Sequence, residues 1–158
     1  MFRPLRRKKN EISEEAAVRL LQIERRGVLA VHGDDGFPYA IPINFWLDPE
    51  NRKIYFHGSK TGHKADALRS CDKVCFTVFG NEHTGEETWA PFVQSAVVFG
   101  RCRLIDSQEE AIRLVKQFAR KYFPTEELVE EEAATSGNVV QMFEITIEHL
   151  SGKEIQER

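Results

Sequence analysis

The stretch Tyr55–Leu68 reads YFHGSKTGHKADAL. An apolar strand runs into glycine, hydroxyl and basic residues and then into a helix. A helix beginning near Thr61 or Gly62 has first-turn N–H groups without intrahelical acceptors and a partial positive charge at its start. Gly58 and Gly62 let backbone approach a ligand with no side chain between them. Ser59 and Thr61 add hydroxyl donors, and Lys60, His63 and Lys64 add positive charge. A phosphate is the kind of anion such a junction suits. An ordinary capped helix with solvated lysines satisfies the same local pattern. The G-x-x-x-x-G-K-[ST] order of a P-loop is absent, and Gly58-x-x-x-Gly62 is not the dinucleotide spacing.

Working outward, Lys53–Gly58 is the strand that enters the junction. Before it, Tyr39–Leu47 (YAIPINFWL) alternates Tyr39, Ile41, Ile43, Phe45 and Leu47 onto one face, the period of a strand. Pro42 has no N–H to give a ladder, so this strand is an edge, is bulged, or faces something other than a strand there. Val28–Gly33 and the turn Asp34-Asp35-Gly36 complete a hairpin with it. Ser13 reads as the N-cap of a first helix with Ala17, Leu20 and Leu21 on its apolar face and Gly27 past its end.

Beyond the junction a short helix runs from Gly62 to about Arg69. Val74–Gly80 is a strand, Asn81–Pro91 a polar loop, and Phe92–Ile105 a long strand. Ser107 and Glu110 form a capping box. They open a helix with Ala111, Leu114, Val115, Phe118, Ala119 and Tyr122 on one face, a core-facing pattern. Pro124 and Thr125 break it ahead of a short helix through Ala134. Val139–His149 is the last strand, with Phe143, Ile145 and Ile147 inward and Glu144, Thr146 and Glu148 outward. Six strands joined mostly by short turns predict a mainly β fold. The expected form is an antiparallel sheet or small barrel with flanking helices, and closure would remove exposed edges.

The chain has 158 residues, the size of one domain with a sizeable core. We read residues 1–158 as that domain, with 1–12 a basic arm and 150–158 a C-terminal tail. Net charge is −3, from 22 basic and 25 acidic residues, which speaks against nucleic-acid binding. The cluster Arg3, Arg6, Arg7, Lys8, Lys9 reads as a solvated arm. No run is apolar and long enough to span a bilayer, and no secretory signal is visible, so a cytoplasmic location is expected. Three cysteines, Cys71, Cys75 and Cys102, match neither a disulfide framework nor a metal pattern with the histidines; no metal is expected. His32 and His149 read as surface residues at strand ends. Phe92 reads as core, while Trp89 is a residue that covers a ligand or packs across an interface.

GVLAVHGDDGFPYAIPINF, KIYFHGSKTGHKADAL, SAVVFGRCRLI and EITIEHLSGKE follow one another in the order seen in a known family. The chain resembles the FMN-binding split-barrel superfamily of pyridoxamine 5′-phosphate oxidase-like proteins, and within it the nitroimidazole-resistance (Nim-type) flavoproteins. The likeness covers nearly the whole chain, and YFHG-x-x-x-G-x-K is its most specific part.

That resemblance implies a six-stranded antiparallel split barrel forming a homodimer with FMN at the subunit interface. His63 and Lys64, with Ser59, Thr61 and Gly62, would hold the phosphate. His57 and Gly58 would line the cofactor, with His57 a candidate for proton transfer. The strand Ala40, Ile41, Pro42, Ile43, Asn44 would pass along the flavin ring and bond it through backbone. Gln94 and Ser95 match a further flavin contact. The oxidases of the family carry Arg and Lys on the flavin strand and an Arg-rich C-terminus; AIPINF and EHLSGKEIQER carry neither pattern, so vitamin B6 oxidation is not expected. The implied activity is reduction of a small electrophile such as a nitroaromatic, with NAD(P)H as a possible donor. The alternative is a protein that binds FMN, haem or another cofactor without turnover.

Overall fold

The computed structural model describes residues 1–158. Its strands are β1 (Arg26–His32), β2 (Pro38–Asn44), β3 (Trp46–Asp48), β4 (Lys53–Gly58), β5 (Lys73–His83), β6 (Phe92–Leu104) and β7 (Gln141–Gln156). Its helices are α1 (Glu14–Ile23), α2 (His63–Ser70), α3 (Gln108–Tyr122) and α4 (Glu126–Ser136). One antiparallel sheet of seven strands runs in the order β2-β1-β5-β6-β7-β4-β3. β2 and β3 lie at its two opposite edges, yet only Phe45 separates them in the chain. The sheet must therefore curl until its edges nearly meet, and the result is a split barrel.

Phe45 is where seven strands replace the expected six. It is fully buried, and its backbone leaves the sheet for the side chain of Tyr122. The Tyr122 hydroxyl accepts the Phe45 N–H at 2.8 Å and has the carbonyls of Arg25 and Phe45 at 2.7 and 2.6 Å to receive its own proton. The chain thereby changes partners, from β1 before Phe45 to β4 after it. Nearby, the Lys121 ammonium donates to the Glu24 carbonyl and sits 3.9 Å from the centre of the Phe45 ring. Burial pushes its pKa down to about 8.

The barrel interior holds the main core. Phe45 meets Phe76 edge-on, Phe56 stacks on Phe143, and Leu20, Leu21, Leu29, Ile54 and Ile145 fill in around them. Each such fully buried side chain contributes about 1.5–3 kcal/mol. α1 and α2 pack against this core. Ser13 caps α1 and Ser107 caps α3 as expected, accepting from Ala16 and Glu110 N–H. α3 and α4 form a second layer over β4 and β7, around Tyr55, Leu114, Val115 and Met142. β2 is an edge strand, which is how the sheet accommodates Pro42.

Five expectations are corrected. Glu144 does not face solvent; it is 2% exposed. Because α3 covers that face of β7, Glu144 is held by Arg103 Nε at 2.8 Å, Lys53 Nζ at 3.1 Å and the Tyr55 hydroxyl at 3.1 Å. Burial by itself would raise its pKa, but these donors outweigh burial and hold it below the usual carboxylate value. The last strand does not end at His149. Past a bulge opposite Phe99 and Gly100, Ser151–Gln156 pair with Phe92–Val97, so the expected tail is sheet. The N-terminal arm keeps its basic side chains in solvent, but its backbone is docked. Glu11 bridges Lys153, and Phe2 stacks on His149 at 4.8 Å. His149 is thus half-buried within a strand rather than at a strand end. The polar loop is shorter than expected, since β5 continues to His83.

One face of the sheet has no helix over it. Val28 and Ala30 of β1, Cys75, Thr77 and Phe79 of β5, and Val97 and Phe99 of β6 line it, all half-buried or exposed. Phe79 is 70% exposed.

Candidate functional site at the barrel seam

Curling leaves a seam between the sheet edges. β3 pairs with β4 only along Lys53–Tyr55, so one edge of Phe56, His57 and Gly58 is free. Facing it is β2, bonded only to β1. β2 and β4 come close there without ladder bonds. Ala40, Pro42 and Asn44 project outward, whereas Ile41 and Ile43 turn inward, so the latter two can offer a ligand only their backbone. The strand's outward edge carries free N–H and C=O groups, a row able to bond a flat polar heterocycle.

α2 closes one end of the seam. Gly62 begins it at φ +107, a conformation open to glycine at little cost, and no side chain caps the helix. Its first-turn amides are left for a ligand. Ser59 instead accepts the Thr61 N–H at 3.3 Å, and the Lys60 ammonium reaches the Asn138 carbonyl at 3.3 Å, away from the helix start. The His63 ring stacks on Tyr39 at 4.0 Å, with Nε2 3.6 Å from an Asp34 carboxylate oxygen.

Lys64 is the unusual member. Its half-buried ammonium lies over the Phe56 and Phe143 rings, 5.5 and 5.6 Å from their centres. It makes no ion pair and no hydrogen bond within the chain. Burial pushes its pKa down. A Cβ at residue 58 would lie 2.6 Å from its Nζ, so Gly58 is what makes room for it.

At the other end the seam opens into a cavity of about 290 Å³ between the barrel and the α3–α4 layer. Val115, Phe118, Ala119, Phe123 and Val140 form its apolar wall. Arg25, Asn44, His57, Tyr122, Glu132 and Ser136 supply its polar groups. His57 meets Phe118 edge-on at 4.9 Å. It is open to the cavity but walled by protein; burial lowers its pKa, Glu132 works against that and Lys64 with it. Asn44 is anchored by donating to the Arg25 carbonyl at 3.2 Å.

The expected site residues therefore divide. Ala40–Asn44, His57, Gly58, Ser59, Thr61, Gly62, His63 and Lys64 gather along one seam and its α2 end. Gln94 and Ser95 do not join them within one chain. Pro42, Val28, Thr77 and Val97 share one row across four strands. Val97 is thus about 14 Å from Pro42, three strand spacings away, and Ser95 lies two residues farther on. Gln94 is engaged with Asn81 and Glu154. Leu114 is core as read, but Phe118 and Tyr122 wall the cavity. Arg25, Glu132 and Ser136 were not expected at the site. Glu132 and Ser136 are one helical turn apart beside the buried Val129 and Ala133, a spacing that marks a shared face only once α4 is known to lie over the seam.

Cysteine chemistry is not supported here. Burial pushes the Cys102 thiol up to about 12 and raises Cys75 as well, which disfavours the nucleophilic thiolate. No helix is long and apolar enough to cross a membrane.

The chain belongs to the pyridoxamine 5′-phosphate oxidase family: the family's sequence profile matches residues 13–154. No curated protein sequence matches it. Solved structures share its fold. A candidate 5-nitroimidazole antibiotic resistance protein from Bacteroides thetaiotaomicron is 18% identical, with a TM-score of 0.77 over 93% of this chain and 87% of that one. A flavocytochrome from Azotobacter vinelandii is 20% identical, with a TM-score of 0.77 over 95% and 71%. An FAD and haem binding protein from Mycobacterium smegmatis is 19% identical, with a TM-score of 0.72 over 92% and 73%.

Proposed function

We propose that the chain binds a flavin along the seam, FMN in the first instance, and acts as a homodimeric oxidoreductase on a small electrophile such as a nitroaromatic. The observation that carries this reading is Lys64. A half-buried ammonium without an acceptor, beside an uncapped helix start, suits a phosphate. His63, Ser59, Thr61 and Gly62 would add donors at the same place, and the free β2 edge from Ala40 to Asn44 would bond the ring. A bound flavin supplies the redox chemistry. The protein's part is to hold it, exclude water and present the cavity to a substrate. His57, whose pKa burial lowers, would offer a ligand a hydrogen bond there. Pyridoxamine phosphate is a poor fit as substrate because β2 carries no basic side chain.

The dimer reading has its own support in the sheet face of Val28, Ala30, Cys75, Phe79, Val97 and Phe99, an apolar surface of the kind that marks an interface. Through it Gln94 and Ser95 of a second copy would reach the seam.

The test is direct. Titration with FMN and FAD should quench flavin fluorescence with saturation, and Lys64→Ala should weaken FMN binding by about 1.5–3 kcal/mol, a factor of about 10–150. NADH or NADPH should bleach the bound flavin without oxygen, and a nitroaromatic should restore its colour. Binding without bleaching by either nicotinamide would favour a carrier or sensor. Unchanged affinity in the Lys64 variant would remove that residue from the phosphate site.

A further inference from the structure

The cavity beside the seam is polarised along its length. The Arg25 guanidinium lies 4.9 Å from the centre of the Tyr122 ring. Tyr122 stacks on Phe118 at 4.9 Å, and Phe118 meets His57 edge-on at 4.9 Å. Arg25 and His57 thus stand at opposite ends of one aromatic wall. At the His57 end α4 brings in the Glu132 carboxylate, which lines the same cavity and is felt by His57. Neither charge is in an ion pair. The α4 carboxylates in ion pairs are Glu126 and Glu130, bound to Arg120 and Lys116, and Arg25 contributes only its carbonyl to the Tyr122 and Asn44 hydrogen bonds. A cation at one end and an anion at the other therefore face an apolar cavity of about 290 Å³. A dry cavity of about 150 Å³ accepts benzene, so one substituted ring has room. Once a ligand displaces water, each charge acts through a lower dielectric and discriminates more strongly.

We infer that the cavity selects a small aromatic molecule with an anionic or strong acceptor group at one end, read by Arg25, and a donor or cationic nitrogen at the other, read by Glu132. This deepens the seam reading and rests on it for the role of that molecule as electron acceptor. Its recognition, however, is by the protein's own side chains and is measurable without turnover.

The experiment is calorimetric titration at neutral pH with 4-(aminomethyl)benzoate, benzoate and benzylamine, on the protein with and without FMN. The bifunctional probe should bind at least about tenfold more tightly than either single-charge probe, the effect of one charge-assisted contact. Glu132→Gln should abolish its advantage over benzoate without weakening benzoate itself. Arg25→Gln should abolish its advantage over benzylamine without weakening benzylamine itself. Equal affinities for the three probes, no binding of any, or variants that weaken all three alike would overturn the inference. If the probe pattern holds while FMN titration shows no binding, the flavin reading fails and the polarised cavity stands; flavin binding with the pattern absent separates them the other way.

Discussion

Replacing Tyr122 by Phe removes a single oxygen that joins three segments. In the native chain that oxygen accepts the N–H of the fully buried Phe45 and has two carbonyls, of Arg25 and Phe45, within 2.7 Å. The ring stays, and its stacking on Phe118 with it. The loss falls on the hydrogen bonds. A buried N–H without an acceptor costs about 1–3 kcal/mol, and the donated bond contributes about 1 more, so we expect a destabilisation of about 2–4 kcal/mol. For a domain of this size each kcal/mol lowers the midpoint by about 2–4 °C, giving a fall of about 4–16 °C. Thermal and urea unfolding followed by far-UV circular dichroism would read it, with the urea slope unchanged if the unfolded state is untouched. Amide exchange at Phe45 should accelerate with it. A midpoint within about 1 °C of the native protein would refute the idea that this hydroxyl is what lets the chain cross from one sheet edge to the other.

Two further outcomes follow from the same geometry. Glu144→Gln should lower stability by about 2–3 kcal/mol near neutral pH, because Arg103 and Lys53 lose their shared carboxylate. The folded pKa of Glu144 is depressed, so its contribution is complete above the unfolded carboxylate value and is lost as pH falls through the folded value; urea midpoints of the two proteins should converge in acid. Phe79→Lys, on the uncovered sheet face, should give a monomer by sedimentation velocity and weaken FMN binding if the second copy completes the site; a dimer with native affinity would place the interface elsewhere.

Much of this architecture is legible in the sequence, for identifiable reasons. Alternation from Tyr39 and the Asp35-Gly36 turn are local signals; the turn forms where the spacing puts it, and the strand runs only as far as Asn44. Pro42 left an edge, a bulge or a non-strand neighbour open, and an edge is where it lies. The break at Phe45 was hidden because Phe45 keeps the alternation; it is imposed by Tyr122, seventy-seven positions away. Glu144 fitted an outward position by period, but α3 covers that face, and only tertiary packing shows that Arg103, Lys53 and Tyr55 converge on it. The strand–turn–helix form of the junction from Gly58 to Lys64 was legible because helix starts and glycines signal locally. Glu132 was not, since a glutamate on an acidic helix has no local mark of facing a cavity. Phe118 and Tyr122 followed a helical apolar stripe, and the stripe alone does not distinguish a core from a cavity wall.

The central claim is that the turn into α2 and the free edge of β2 hold a flavin. The most direct measurement is a residue-resolved amide spectrum of the protein titrated with FMN. The largest saturating shifts are expected at Gly62, His63, Lys64 and Ala65, and at Ala40, Ile41, Ile43 and Asn44, since Pro42 has no amide proton. Saturable shifts confined to other surfaces, or none at all, would contradict that claim.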